Sequence, residues 1–333
     1  EARKYGIHSA MPMATAMRLC PRATVVKGTR GEYSKYSRWV TEIIADKAPL
    51  FEKVSIDEFY LDLTGMNKYF NPWQWTIGLR QEIIDKTGLP ISFALASNKM
   101  VAKMATNAAK PNGYMQVKAG MEKEFLSPLP VNTIPGIGKQ TYQHLLAIGI
   151  QTIGDVNLSK QADLEFLLGS YGQELWNKAQ GIHHGAVVPY SEAKSVSTEN
   201  TFETSSNDMD FIMSELVRMT ERIAYELRQD DKMAGCIAVK IRYPDFETTS
   251  RQMAISYTCY DDELIPAAKV LFHKLYRKGQ SVRLLGVKLS ELTSEARQTN
   301  LFENTEKKTD LYNAIDAVKG RFGKDAISRA RTI

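Results

Sequence analysis

Cysteine is scarce in this 333-residue chain: Cys20, Cys236 and Cys259 are far apart and odd in number. No C-x-x-C pair occurs, which excludes a thiolate zinc site and a dithiol redox motif, and the three read as buried thiols in a reducing compartment. The five histidines (His8, His144, His183, His184, His273) show no H-E-x-x-H spacing, and His183-His184 reads as a structural loop pair after a glycine. Zinc enzymology is not expected. No run approaches the ~18 uninterrupted apolar residues that a membrane span requires. The opening Glu1-Ala2-Arg3-Lys4-Tyr5 has no apolar segment behind it to make a secretory signal. It also lacks an initiator Met, so the chain is expected to start downstream of its gene's own start. With 21 Gly and 12 Pro, collagen-like and mucin-like classes fall away, and no repeat or low-complexity tract is present.

Hydrophobic residues make up 43% of the chain and charged residues 24%, enough apolar content to bury a sizeable core and to exclude disorder as the main state. At ~150 residues per domain the length points to two or three domains. The formal charge of +5 is uneven. Residues 1–118 carry net +7, residues 119–193 net −3, residues 194–297 net −1 and residues 298–333 net +2. The basic excess in the first third suits a polyanionic ligand, and equally a solvated surface.

Periodicity predicts a short helix over Met13–Leu19, stopped by Pro21, and a β-branched strand at Thr24-Val25-Val26. An amphipathic helix follows over 31–48, with Tyr33, Tyr36, Val40, Ile43 and Ile44 on one side. Val54–Leu63 reads as a strand or a tight hairpin, and two Trp-rich turns lead to a helix over Ile77–Lys86. A strand at Ile91–Ala96 and an Ala- and Lys-rich helix ending at Lys110-Pro111-Asn112-Gly113 complete a β-α-β-β-α order, an α/β unit whose first strand would lie before residue 1. Residues 119–184 read as short helices separated by Gly turns, and 185–194 as a linker. Over 195–292 the pattern is strand, helix, strand, strand, helix, strand, a ferredoxin-like plan with one open sheet face. A helix is expected over Lys308–Arg321.

Three features carry chemistry. Asp57-Glu58 are adjacent carboxylates in an apolar stretch, where a divalent cation would offset their desolvation. On a regular strand they would face opposite ways, so one shared site requires a turn or bulge; an exposed acidic hairpin tip is the alternative. Lys110 ends a helix, either as a dipole partner or as a cation aimed at a phosphate. Ile134-Pro135-Gly136-Ile137-Gly138-Lys139, followed by Leu145, Leu146 and Gly149-Ile150, is a helix-hairpin-helix pattern. The amides of Gly136, Gly138 and Lys139 at a helix N-terminus suit one DNA phosphate without reading sequence; a plain Gly turn is the alternative.

Taken together, Glu1-Ala2-Arg3-Lys4-Tyr5-Gly6, Ser9-Ala10-Met11-Pro12, Ser55-Ile56-Asp57-Glu58, Lys110-Pro111-Asn112-Gly113 and the helix-hairpin-helix resemble, in order and spacing over essentially the whole chain, the Y-family or translesion DNA polymerases, in the bacterial DinB-type branch. The resemblance implies a right-hand polymerase, multidomain α/β and α+β. Its parts would be fingers (1–29), palm (30–118), helix-hairpin-helix thumb (119–184), linker (185–194), ferredoxin-like little finger (195–297) and a clamp-binding tail (298–333). It implies two Mg²⁺, with Asp57 bridging both and Glu58 holding the one that activates the primer 3′-hydroxyl. Arg3 and Lys110 match positions that hold the incoming dNTP, and primer-template DNA is the macromolecular partner of a cytoplasmic monomer. The family's first strand carries a further metal-binding Asp and an aromatic steric gate; both would precede residue 1, so residues 1–333 alone are expected to be inactive. Asn107 stands where relatives commonly have Asp.

In the little finger, Lys240, Arg242, Arg251, Arg283 and Lys288 lie on expected strands, and alternation puts Lys240 and Arg242 on one face, expected to track the DNA backbone. Gln298-Thr299-Asn300-Leu301-Phe302 resembles the bacterial sliding-clamp-binding pentapeptide, in which Gln298, Leu301 and Phe302 would make the contacts, with Thr299 departing from the usual Leu. The expected activity is error-prone, template-directed DNA synthesis past damaged bases. A non-catalytic DNA-binding module is the rival from another class. A nucleotide cyclase, which shares the metal chemistry, has no need of a duplex grip.

Overall fold

The computed structural model describes residues 1–29, 31–294, 305–324, 326, 327 and 329. The chain divides into two compact units, Glu1–Ser191 and Glu192–Ile333. No helix is long and apolar enough among the described residues to cross a membrane.

The first unit opens with a 3-10 turn, Ala2–Tyr5, and α1 (Met13–Leu19). The strand expected at Thr24–Val26 does not form: these residues have no ladder partner among the described residues, and Val26 is 82% exposed. A β-branched run alone does not make a strand, because the backbone hydrogen bonds must come from a neighbour. α2 (Glu32–Lys47) buries Ser37, Val40 and Ile44, leaving Tyr33 exposed. β1 (Phe51–Lys53) and β2 (Phe59–Leu61) pair antiparallel, so the Val54–Leu63 stretch is a hairpin link and its second strand. α3 (Pro72–Thr87) starts five residues before the expected Ile77. Asn71 caps it by accepting from the Trp73 and Gln74 amides, and Pro72 occupies the first turn, where no amide donor is missed. Phe51, Phe59 and Leu61 pack on Val40, Ile44, Leu79 and Ile83 as one apolar cluster.

β3 (Phe93–Leu95), α4 (Lys99–Ala109) and β4 (Tyr114–Gln116) make a β-α-β unit with a parallel strand pair. The two short sheets are separate among the described residues, where the sequence predicted a single order, and β4 carries no apolar pattern that announces it. α5 (Glu122–Leu126), α6 (Lys139–Ala147), α7 (Ile153–Leu158), α8 (Gln161–Leu168) and α9 (Ser170–Ala179) follow as the expected short helices. Their core, including Leu126, Leu145, Ile153 and Leu175, is continuous with Met100, Val101, Met104 and Ala105 on one face of α4. α4 therefore has an apolar side fixed by these helices, and its other side carries Lys99 and Lys103.

The second unit holds β5 (Ser195–Ser206), α10 (Met209–Gln229), β6 (Met233–Arg242), β7 (Thr248–Thr258), α11 (Asp261–Leu275), β8 (Val282–Thr293) and α12 (Thr305–Phe322). The β-α-β-β-α-β order follows the sequence pattern within a few residues. The sheet is antiparallel in the order β5-β8-β6-β7, so β8 is inserted between β5 and β6. Ile237, Val239 and Ile241 of β6 are fully buried, while Lys240 and Arg242 alternate onto the opposite, open face.

α12 joins this unit through a buried ion network. Arg228 of α10 donates to Asp316 of α12 at 2.7 and 3.0 Å and to Asp261 of α11 at 2.9 Å. Tyr312 stacks on Tyr260 with ring centres 5.0 Å apart and donates to Asp262 Oδ1 at 2.8 Å. Burial pushes the Asp261 carboxyl above its ordinary range, against the pull of the Arg228 charge. Replacing Arg228 by Met would leave the buried Asp261 and Asp316 without the guanidinium that bonds both of them. The expected loss is about 3–5 kcal/mol of unfolding free energy, seen in urea titration together with lost amide-exchange protection across α12. Unchanged protection there would show that the network does not hold the helix.

Candidate active site and nucleic-acid interface

Asp57 and Glu58 lie at the link between β1 and β2. The Val54 and Ser55 amides both donate to the Glu58 carbonyl, at 3.0 and 3.4 Å, closing a tight turn over residues 54–58. This turn interrupts the strand alternation that would have sent the two carboxylates to opposite faces. The Ser55 hydroxyl donates to Asp57 Oδ1 at 2.8 Å and accepts from the Asp57 amide at 3.4 Å. Asp57 is exposed and meets no cation among the described residues, whereas half-buried Glu58 accepts from Lys103 Nζ at 2.7 Å.

One turn earlier on α4, Lys99 Nζ lies 2.7 Å from Glu52 of β1 and 5.3 Å from the centre of the Tyr60 ring. Glu52 also accepts from the Val188 amide at 2.9 Å. Burial alone would raise the Glu52 carboxyl, but the hydrogen bonds from Lys99 and Val188 bring it below its ordinary value. Burial and the charges of Glu58 and Glu52 push the Tyr60 phenol up. The hairpin is thus stitched to α4 at two points one helical turn apart.

Among the described residues no group of three or more His, Cys, Asp or Glu side chains gathers to hold a metal ion. Two adjacent carboxylates nonetheless fit Mg²⁺, which takes one or two protein carboxylates and completes its shell with water and substrate phosphates. Arg3, on the first 3-10 turn, and Lys110, at the C-terminal cap of α4, are both exposed, and neither pairs with a carboxylate among the described residues. Both cations are available to an anion from solution. Asn107 is exposed in the last turn of α4. Sequence reasoning missed Lys99 and Lys103. Their i, i+4 spacing on the polar side of α4 was a signal, but the acids they meet come from a hairpin more than forty residues away.

In the helix-hairpin-helix, the first helix is only a 3-10 turn, Val131–Thr133. Gly136 has φ +99°, a backbone conformation that a side chain would strain. Gly138 caps α6 and Lys139 begins it, all three residues being exposed. Beneath the loop, Lys178 of α9 is 8% exposed, donates to the Pro135 carbonyl at 3.2 Å and pairs with Glu174 at 2.7 Å. A buried, ion-paired ammonium thus anchors the loop.

On the open face of the second unit, Lys240 pairs with Glu199 of β5, and Arg242 donates to Thr248 at 2.8 Å. Lys288 shares that face, because it lies opposite Ala238, two residues from Lys240. Arg251 lies opposite Val239 and so belongs to the other face, and Arg283 sits 4.8 Å from the centre of the Phe246 ring. Gln298, Leu301 and Phe302 lie outside the described residues.

A family model described as the impB/mucB/samB family matches residues 1–107, and its C-terminal domain model matches residues 193–301. The chain is 36% identical to a DNA polymerase IV of Dehalococcoides mccartyi over 335 aligned positions, spanning 100% of this chain and 86% of the relative. It is 34% identical to a DNA polymerase IV of Caulobacter vibrioides, over 100% of this chain and 83% of the relative. Among solved structures, a Dbh–Dpo4 Y-family DNA polymerase chimera is similar with TM-score 0.79 and 27% identity, covering 89% of this chain and 86% of that one. An insertion ternary complex of Dbh DNA polymerase gives TM-score 0.61 and 26% identity, over 87% and 84% of the two chains. The chain belongs to this family, the Y-family DNA polymerases. Within it the chain falls in the DNA polymerase IV, DinB-type branch, and it is a DNA-directed DNA polymerase of translesion synthesis.

The Lys99–Glu52 contact predicts an acid-sensitive hairpin. A folded-state carboxyl held below its ordinary 4.5 contributes stability above that value and loses it as pH falls through the lowered one. Glu52→Gln should therefore weaken the first unit near neutrality and flatten its stability loss as the pH falls below the ordinary 4.5. All four tryptophans (Trp39, Trp73, Trp75, Trp176) lie in that unit, so their fluorescence follows the titration. An acid limb identical to that of the parent would show that the Lys99–Glu52 contact does not stabilise the hairpin.

Proposed function

We propose that this chain extends a primer on a template by joining the primer 3′-hydroxyl oxygen to the α-phosphorus of a dNTP, with pyrophosphate leaving, and that it does so past damaged bases with low fidelity. DNA polymerase IV relatives matched over the whole chain lend no support to the expected inactivity of residues 1–333 alone. The observation that carries the reading is the acidic turn at 54–58, fixed to the same helix that ends in Lys110, a cation with no carboxylate partner among the described residues. Asp57 and Glu58 would hold the two Mg²⁺. Bound there, Mg²⁺ lowers the pKa of the 3′-hydroxyl and neutralises charge on the leaving pyrophosphate. The chain's own part is orientation. Ser55 fixes the Asp57 carboxylate, Lys103 holds Glu58 to α4, and Arg3 and Lys110 offer cations to the triphosphate.

Ternary and binary complexes among the similar solved structures support primer-template DNA and an incoming nucleotide as ligands. Gly136, Gly138 and Lys139 would meet one backbone phosphate at the start of α6, and Lys240 and Arg242, joined by Lys288, would track the backbone from the open sheet face. These roles correspond to fingers over 1–29, palm over 30–118, thumb over 119–184, linker over 185–194, little finger over 195–297 and tail over 298–333. The tail would tether the enzyme to a bacterial sliding clamp through Gln298, Leu301 and Phe302, raising its effective concentration on DNA.

Asp57→Ala should abolish primer extension while leaving primer-template affinity nearly intact, because duplex binding rests on other contacts. Extension at the parental rate would refute the assignment of Asp57. Changing Leu301 and Phe302 together to Ala should erase clamp binding and clamp-stimulated synthesis but spare distributive synthesis. Clamp affinity equal to the parent's would exclude the tether.

A further inference from the structure

We infer that Arg80 is a positioning residue for nucleotide binding: it fixes the turn that aims Lys110. Arg80 projects from the middle of α3 and is half-buried, yet it forms no ion pair with a carboxylate among the described residues. Its guanidinium serves backbone and amide oxygens instead. Nε donates to the Ile91 carbonyl at 2.7 Å, while Nη2 donates to the Asn112 carbonyl at 3.0 Å and to Asn112 Oδ1 at 2.6 Å. The Arg80 Cζ lies 5.6 Å from the centre of the Tyr114 ring, the first residue of β4. Holding a guanidinium this way forgoes the stronger pairing a carboxylate offers, so its worth is in geometry.

The segment it holds needs holding. Asn112 sits at φ +52°, a conformation uncommon for a residue with a side chain. Gly113 passes so close to α4 that a Cβ there would stand 2.2 Å from the Ala109 carbonyl oxygen. The Gly113 amide donates to Ser92 Oγ at 3.2 Å, and its carbonyl accepts from the Phe93 amide at 3.3 Å. Arg80 therefore bridges the entry to β3 and the exit from α4, closing a frame around Lys110–Gly113. Among the described residues Lys110 is the long cation of that frame with no carboxylate partner, and the direction of its backbone is set two residues on, at Asn112.

This inference rests on the proposed role of Lys110, and the test separates the two. The dNTP dissociation constant is measured by fluorescence on the protein bound to a dideoxy-terminated primer-template, so that no turnover occurs. Lys110→Ala should weaken dNTP binding. Arg80→Met should weaken it about tenfold, by loss of the charge-assisted hydrogen bonds that order the turn. Arg80→Lys, which keeps the charge but not the fork, should weaken it similarly; it supplies the measurement if the Met variant folds poorly. In the Lys110→Ala background Arg80→Met should have no further effect, since the residue acts through Lys110. An equal, additive loss in both backgrounds would make Arg80 a general structural support and overturn the inference. So would parental dNTP affinity of both Arg80 variants where Lys110→Ala alone weakens it. Parental affinity in Lys110→Ala itself would overturn the role of Lys110, and this inference with it.

Discussion

The first unit depends on two lysines of α4 that hold a hairpin which has little means to hold itself. β1 and β2 are three residues each, and a two-stranded hairpin of that size is marginal in water. One side of it is pinned by Phe51, Phe59 and Leu61 on the α2–α3 core; the other is pinned by the Lys99–Glu52 and Lys103–Glu58 pairs. Each pair, partly exposed, contributes about 1 kcal/mol or less. Their value is directional: two contacts one turn apart on a helix whose far side is locked in a core leave the acidic turn little freedom to rotate.

How much of this was legible depended on distance along the chain. Asp57-Glu58 and the Gly136–Lys139 loop could be found because their chemistry is local and dense. In the second unit, long strands with alternating burial and an α10 that buries a continuous stripe from Ile212 to Leu227 announced themselves. The three-residue strands did not, because so few residues carry no period; β4 follows a turn and has only Met115 partly covered. Thr24–Val26 had the composition of a strand and no neighbour to pair with. The partners of Lys103 and Arg80 were invisible for a different reason: one meets an acid 45 residues away and the other a turn 32 residues away, and only the fold creates those encounters.

Segment charge was a poor guide to local charge. The stretch 194–297 carries net −1, yet many of its acids are spent on neighbouring cations. Glu215 pairs with Arg218, Glu226 with Arg222, Asp261 with Arg228, and Glu247 with Arg277. On the open sheet face Glu199 answers Lys240, while Arg242 and Lys288 meet no carboxylate among the described residues. A small local surplus of positive charge on a broad strand surface matches a polyanion better than the segment total suggests.

The place of β8 in the sheet governs how the second unit is made. It lies between β5 and β6, although it leaves the ribosome after both. Until residues 282–293 emerge, β5 has no partner in the sheet and one edge of β6 is bare. The nascent unit must therefore keep apolar strands apart for most of its synthesis and then zip two ladders at once around the last one. Contacts of such long sequence separation slow folding and lengthen the time for which unpaired strand edges are exposed to aggregation.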